Sequence, residues 1–318
     1  MQIAWLFPGQ GSQTVGMALD VASEFPTAAE LLKRADDALG FPLSRIMAEG
    51  PEEELRLTAN AQPAILTASL MVLEALRGAL PSLTPTVAAG HSLGEYTALV
   101  AAGVLTFEDA VKLVRHRGEA MQLAVPDGIG TMAALLACSP ELAERACKEA
   151  SQGEIVSPAN FNAPGQVVIA GTVAAVARAC TIASEAGARP MPLKVSAPFH
   201  CALMQPAADA MKRALETIPL ATPQFPVLSN VDALPHADRE GTVSRLVAQV
   251  TATVQWERTL LAIAQLGITH AIEIGPGNVL TGCVKRTIKQ VKPLTVGTLA
   301  QLRETATFFH ATNAESTS

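Results

Sequence analysis

What this chain lacks already narrows what it can be. Paired cysteines are missing: the five stand at 138, 147, 180, 201 and 283, an odd number with no C-x-x-C spacing. That fits reduced thiols and excludes a disulfide framework or a cysteine zinc site, so no metal is expected. Positive charge is in deficit. Lys and Arg number 23 against 29 Asp and Glu, a net charge of −6, which argues against a nucleic-acid partner. Long apolar runs are absent too. The stretch 167–183 is broken by Gly171, Thr172 and Arg178, so no membrane span is expected. Met1-Gln2-Ile3-Ala4-Trp5 puts no basic segment ahead of an apolar one. No signal peptide is expected, and the expected location is the cytoplasm. Repeats and long low-complexity segments are missing as well.

What is present is a large apolar content, 49% of 318 residues, with only 16% charged. This is the composition of an enzyme-like globule of one large or two smaller domains. Its organising stretch is Val87-Ala88-Ala89-Gly90-His91-Ser92-Leu93-Gly94-Glu95. It reads as a strand, a sharp turn and a helix over 93–102. Gly90, Ser92 and Gly94 fit G-x-S-x-G, the nucleophile elbow, whose strained turn leaves no room for side chains two residues to either side of the serine. The turn also aims the Leu93 N–H and the positive helix end at an oxyanion beside Ser92. The alternative is a tight strand–helix turn with an inert serine.

Elsewhere, residues 3–7 read as a buried strand, followed by the loop Pro8-Gly9-Gln10-Gly11-Ser12-Gln13, either a ligand-approach loop or a plain turn. Helices are expected over 27–39, 62–80 and 106–124, the last capped by Thr106. Ala110, Val111, Val114, Gly118 and Met121 make its inner face, with Arg117 at the edge, where an ordinary surface arginine is the plain reading. From Pro126-Asp127-Gly128 the pattern changes. Strands over 131–137, 155–161, 166–170 and 189–195, with helices over 140–150 and 173–186, give β-α-β-β-α-β. The predicted fold is therefore α/β: an α/β-hydrolase-like large subdomain with a mostly parallel sheet (1–126 and 197–303) and an inserted ferredoxin-like small subdomain (127–196). The cleft between them is the expected substrate site. Further expected elements are strands over 226–231, 271–274 and 294–296 and helices over 242–250, 255–266 and 278–289. Gly275-Pro276-Gly277 reads as a packing turn, and 304–318 as a polar tail that frays.

A serine on an elbow needs a base. His200 in Ala197-Pro198-Phe199-His200, 108 residues downstream, follows the nucleophile-before-histidine order. Its place at the start of a helix running through Met211 would keep the ring neutral. A capped or solvated histidine is the competing reading. His91 should point away from the hydroxyl, and His116 lies mid-helix. Asp109 and Asp127, the only aspartates between Ser92 and His200, do not follow strand ends. A backbone carbonyl can hold the histidine Nδ1–H instead of an acid.

Taken together, Gly9-Gln10-Gly11-Ser12-Gln13, Gly90-His91-Ser92-Leu93-Gly94, His116-Arg117-Gly118, Asn160-Phe161-Asn162, Ala197-Pro198-Phe199-His200 and Gly275-Pro276-Gly277 closely resemble the malonyl-CoA:acyl carrier protein transacylase family, which loads malonate for bacterial fatty-acid synthesis. The resemblance spans about residues 3–300. It implies that Ser92 is acylated, that His200 is base and acid, and that the Gln249 main-chain carbonyl orients His200. It implies an oxyanion hole from Leu93 N–H and Gln10, and an Arg117 clamp on the malonyl carboxylate. Phe199, Asn160, Asn162 and Met121 would line the acyl site, Phe199 disfavouring a methylmalonyl unit. The implied reaction is ping-pong, from malonyl-CoA to the carrier's phosphopantetheine thiol, with CoA as product, no permanently bound cofactor and a monomeric protein. For an acidic carrier the candidate docking patch is Lys285, Arg286, Lys289 and Lys292, against the plainer reading of a solvated helix face. The alternatives are a trans-acting polyketide acyltransferase and a serine thioesterase or esterase; a hydrolase has no use for a carboxylate clamp.

Overall fold

The structure, a computed structural model, describes residues 1–316 apart from Lys194 and Ser196. Among them the strands form two sheets. The strands in chain order are β1 (Ile3–Phe7), β2 (Val87–Gly90), β3 (Gly130–Leu136), β4 (Val156–Ala163), β5 (Gln166–Thr172), β6 (Arg189–Pro192), β7 (Val227–Leu228), β8 (His270–Ile274) and β9 (Lys292–Val296).

The first sheet has the order β7-β2-β1-β8-β9, and every pairing is parallel. Every residue of β1 and β2 is buried, as strands covered on both faces must be. The register sets Phe7 opposite Gly90. The carboxyl ends of β1, β2 and β8 therefore deliver the Pro8–Gln13 loop, the elbow and the Gly275-Pro276-Gly277 turn to one edge, where open parallel sheets bind ligands. Gly275 is needed there for packing: at φ +130° a Cβ would lie 2.2 Å from Ser69 Oγ.

The second sheet is antiparallel, order β4-β5-β3-β6, with the helices Pro140–Ser151 and Val173–Glu185 between strands. Ser139 and Thr172 cap them through their hydroxyls. This is the ferredoxin-like arrangement expected from the sequence, carried between β2 and β7 of the parallel sheet. The expected strand over 189–195 ends at Pro192, and Lys194 and the expected boundary residue Ser196 lie outside the described residues.

Several expectations need correction. The helix expected over 62–80 runs Thr58–Ala79 with Pro63 inside it. Proline has no N–H for the Ala59 carbonyl; an Arg115 Nη1–H from the neighbouring helix reaches that oxygen at 3.2 Å. The strand expected over 226–231 is only Val227–Leu228, because the chain turns back on itself, with Ser229 N donating to Leu234 O, and frees Asn230. Helices Leu19–Glu24, Leu43–Glu49 and Glu52–Arg56 were not expected at all. The segment after Glu304, read as an irregular polar tail, is helical as far as Ser316 and continues the helix Leu299–Ser316. Its composition is polar, but Leu302, Thr305 and Phe309 recur at helical spacing and are buried. Phe308 and Phe309 pack on the His270 ring, and Lys292 Nζ sits 4.2 Å from the Phe308 centroid. Thr317 and Ser318 lie outside the described residues.

Phe309→Ala is expected to cost about 3 kcal/mol, the usual loss for a buried phenylalanine, read from the urea midpoint. An unchanged midpoint would mean that this helix does not pack on the body.

Candidate active site

Ser92 sits at φ 52°, ψ −107°, outside the regions favoured by side-chain-bearing residues. The two glycines make that turn possible. A Cβ on Gly90 would lie 1.9 Å from the Gly94 carbonyl, and one on Gly94 would lie 2.1 Å from Phe7 O. The helix Leu93–Ala101 starts immediately after. Asn230 clamps the turn from behind: its Oδ1 accepts from Ser92 N at 2.6 Å, and its Nδ2 donates to Gly90 O at 2.7 Å.

Ser92 Oγ is 2.8 Å from His200 Nε2, and His200 Nδ1 is 2.7 Å from the Gln249 main-chain oxygen. A carbonyl only accepts, so Nδ1 carries the proton and the Nε2 lone pair faces the hydroxyl. His200 is not the first residue of a helix. It stands in a turn at φ 59°, and the helix Gln205–Thr217 follows only after a short 3₁₀ turn, Ala202–Met204. The helix dipole is thus not what keeps the ring neutral. Burial first, and the nearby Arg117 cation second, together bring its pKa down to about 3 against the opposing bond to Gln249.

Arg117 is not at the surface; it is 1% exposed. A Cβ on Gly118 would meet Thr58 O at 2.5 Å, so the Phe107–Leu123 helix, capped by Thr106 as expected, lies against Thr58–Ala59. That approach brings Arg117 Nη1 to Gln62 Oε1 at 2.8 Å and Nη2 to Gln249 Oε1 at 2.9 Å. Nη2 is also 3.2 Å from Ser92 Oγ. The guanidinium carbon lies 5.5 Å from the Tyr96 ring centroid. Burial lowers the Arg117 pKa, with Tyr96 and Glu95 opposing. Among the described residues, none of the ion pairs includes Arg117. A buried cation beside a nucleophile, with only neutral acceptors in contact, is suited to an anionic substrate group.

These groups open onto a cleft of about 560 Å³ between the two sheets, lined by Gln10, Ser92, Leu93, Arg117, Met121, Asn160, Asn162, Phe199 and His200. Met132 and Val168 line it from the antiparallel sheet. Gln10 Nε2 donates to Thr58 Oγ1 at 3.0 Å. Asn162 Oδ1 meets His91 Nε2 at 2.8 Å, and the His91 ring packs edge-on to Trp256. Met121 Sδ lies 3.7 Å from Gln62 Nε2. Lys285 and Arg286 end the Val279–Thr287 helix and Lys292 opens β9; these three and Lys289 are exposed. Among the described residues, no group of three or more His, Cys, Asp or Glu could hold a metal ion.

Sequence reasoning missed Gln62, Glu95, Asn230 and His236. Glu95 is fully buried behind the elbow. Its carboxylate accepts from Gln249 Nε2 at 2.6 Å and Asn230 N at 3.0 Å, and His236 Nε2 is 2.8 Å away. One signal was available: an acid immediately after the elbow motif, on a helix with no other charged residue. Asn230 and Gln62 carry no comparable mark.

A hydroxyl facing a neutral imidazole, beside a buried cation, is an arrangement for covalent acyl transfer from an acid-bearing substrate. Comparison with known proteins points the same way. Residues 4–316 match the acyl transferase domain family. The chain is 49% identical over 310 residues to the malonyl CoA-acyl carrier protein transacylase of Haemophilus influenzae, covering 96% of this chain and 99% of that one. It superposes with a TM-score of 0.93 and 44% identity on an acyl carrier protein S-malonyltransferase from Vibrio cholerae, over 96% of this chain and all of the other. The same score, with 46% identity over 95% and 98% of the two chains, is found for a malonyl-transacylase solved with its type II PKS acyl-carrier protein. The chain belongs to the acyl transferase domain family and, within it, to the malonyl CoA-acyl carrier protein transacylases.

Proposed function

We propose that this protein moves a malonyl group from malonyl-CoA to the phosphopantetheine thiol of an acyl carrier protein, through a malonyl ester on Ser92. The observation that carries this reading is Arg117: a buried guanidinium, 3.2 Å from the Ser92 hydroxyl, with no carboxylate of the described residues paired to it. The malonyl carboxylate, two bonds from the thioester carbon, supplies that partner. An acetyl group leaves the cation unpaired, a penalty of about 3 kcal/mol.

Ser92 Oγ attacks the thioester carbon while its proton passes to His200 Nε2, 2.8 Å away. The charge that forms on the carbonyl oxygen faces Leu93 N–H and Gln10. The C–S bond then breaks, and His200 returns its proton to the CoA sulfur. The carrier thiol reverses the steps: it gives its proton to His200, attacks the ester, and leaves Ser92 reprotonated. Gln249 O supports the imidazolium through Nδ1–H in place of a triad acid. Phe199, Asn160, Asn162 and Met121 shape the acyl site, with Phe199 opposing a branched methylmalonyl unit.

Lys285, Arg286, Lys289 and Lys292 are the carrier's docking patch in this reading, and the protein works as a cytoplasmic monomer without a permanent cofactor. No helix among the described residues is long and apolar enough to cross a membrane. Residues 1–126 with 197–303, and 127–196, act as the two subdomains about the cleft. Fatty-acid synthesis is the setting; a polyketide carrier is the second reading, favoured by the likeness to the transacylase solved with a type II PKS carrier.

Intact-protein mass after brief mixing with malonyl-CoA is expected to show one malonyl adduct, absent from Ser92→Ala and discharged by holo-carrier. Steady release of free malonate without an adduct would indicate a hydrolase instead. Because His200 titrates near 3, it stays a neutral base down through mild acid. The rate of adduct formation is expected to stay level from about pH 8 to about pH 5; a fall centred near 6.5, the ordinary histidine value, would contradict this. Charge reversal at Lys285 and Arg286 is expected to raise the KM for carrier by about tenfold, with that for malonyl-CoA unchanged. An unchanged carrier KM would remove the patch from this reading.

A further inference from the structure

Glu95 does not line the cleft, yet its carboxylate connects with each part of the site. Oε2 accepts from Gln249 Nε2 at 2.6 Å and from Asn230 N at 3.0 Å, the residue whose side chain clamps the elbow. Oε1 faces His236 Nε2 at 2.8 Å. The Gln249 amide reaches the other way as well: Nε2 donates to Ser92 O at 3.0 Å, and Oε1 accepts from Arg117 Nη2 at 2.9 Å.

The orientation of this amide follows from its neighbours. A guanidinium only donates, so the Gln249 oxygen must face Arg117, and the nitrogen then faces two acceptors, Ser92 O and Glu95 Oε2. Turned over, it would set N–H against N–H at Arg117 and oxygen against a buried carboxylate. Arg117, Ser92 O and Glu95 thus all require the same orientation, and Glu95 supplies its one charged acceptor. The relay also joins a buried cation to a buried anion through one amide, since no carboxylate of the described residues pairs with Arg117 directly.

We propose that Glu95 is a positioning residue for acyl transfer: through the Gln249 side-chain amide it holds the Arg117 guanidinium beside Ser92. Glu95 touches neither substrate nor reacting atoms. Its effect falls on acid-bearing acyl groups, because only they use Arg117. This inference rests on the reading of Arg117 as the malonyl clamp.

The test is the ratio of kcat/KM for malonyl-CoA to that for acetyl-CoA in the parent, Glu95→Gln, Arg117→Ala and the double variant. Glu95→Gln keeps the shape but removes the anion, so the Gln249 amide is left with a neutral acceptor in place of a charge-assisted one. It is expected to lower the ratio about tenfold, a size ordinary for coupled neighbours, mainly through the KM for malonyl-CoA. In the Arg117→Ala background it is expected to leave the ratio unchanged. A merely structural role would slow both substrates alike, so an unchanged ratio, or the same fall in both backgrounds, overturns the relay while the clamp stands. If Arg117→Ala itself leaves the ratio unaltered, the clamp reading fails and the relay with it. Should thermal melting show Glu95→Gln unfolded, Gln249→Met cuts the relay at its middle and keeps the carbonyl for His200. The same fall in ratio is expected from it, and no fall overturns the proposal.

Discussion

The site depends on one strained backbone turn. Ser92 and His200, the two ends of the 2.8 Å contact, both hold positive φ, 52° and 59°. Such conformations cost on the order of 1–3 kcal/mol each and persist only where surroundings dictate them. For Ser92 the surroundings are plain. Gly90 and Gly94 leave no volume for any other residue, and Asn230 ties both flanking backbone groups. The parallel sheet supplies the rest, since the Phe7 opposite Gly90 in register is also the residue whose carbonyl closes on Gly94. A hydroxyl on a flexible loop would not meet a buried imidazole at a fixed distance.

The same closure makes electrostatics inside the site expensive, and the chain meets that cost in a particular way. Arg117 is buried with neutral oxygens from Gln62 and Gln249 in contact, and its nearest anion, Glu95, is one amide further away. A direct Arg117–Glu95 pair would satisfy the cation but leave it nothing to offer a substrate. Neutral contacts with a distant counter-charge keep the guanidinium tolerable in the core and still unpaired toward the cleft.

Legibility in the sequence divides along physical lines. The elbow could be read because its chemistry demands glycine at fixed spacing. The small sheet could be read because β3 to β6 alternate with amphipathic helices, and Pro164-Gly165 turns the hairpin. What could not be read depends on distant close approaches. Arg117 looked like an edge residue; its burial follows from Gly118 meeting Thr58 and Ala59, far away in the chain. Every residue has a carbonyl, so the acceptor at Gln249 has no mark of its own, and only the family resemblance pointed to it. The neutrality of His200 was expected from a helix start, whereas burial and a neighbouring cation produce it. The last helix was missed because polar composition hid the spacing of Leu302, Thr305 and Phe309.

Arg117 has a second consequence. A base pulled down to about 3 is a weak proton acceptor, and after burial the largest cause is the Arg117 charge itself. An empty site therefore keeps Ser92 poorly activated. In the proposed reading a substrate carboxylate paired with Arg117 would offset that charge and remove one of the causes that hold the His200 pKa down, so the base would strengthen with the correct acyl group in place. An acyl group without a carboxylate meets the same oxyanion donors but leaves the base weak. On this argument discrimination against acetyl is exerted in the chemical step as well as in binding, and one residue imposes both.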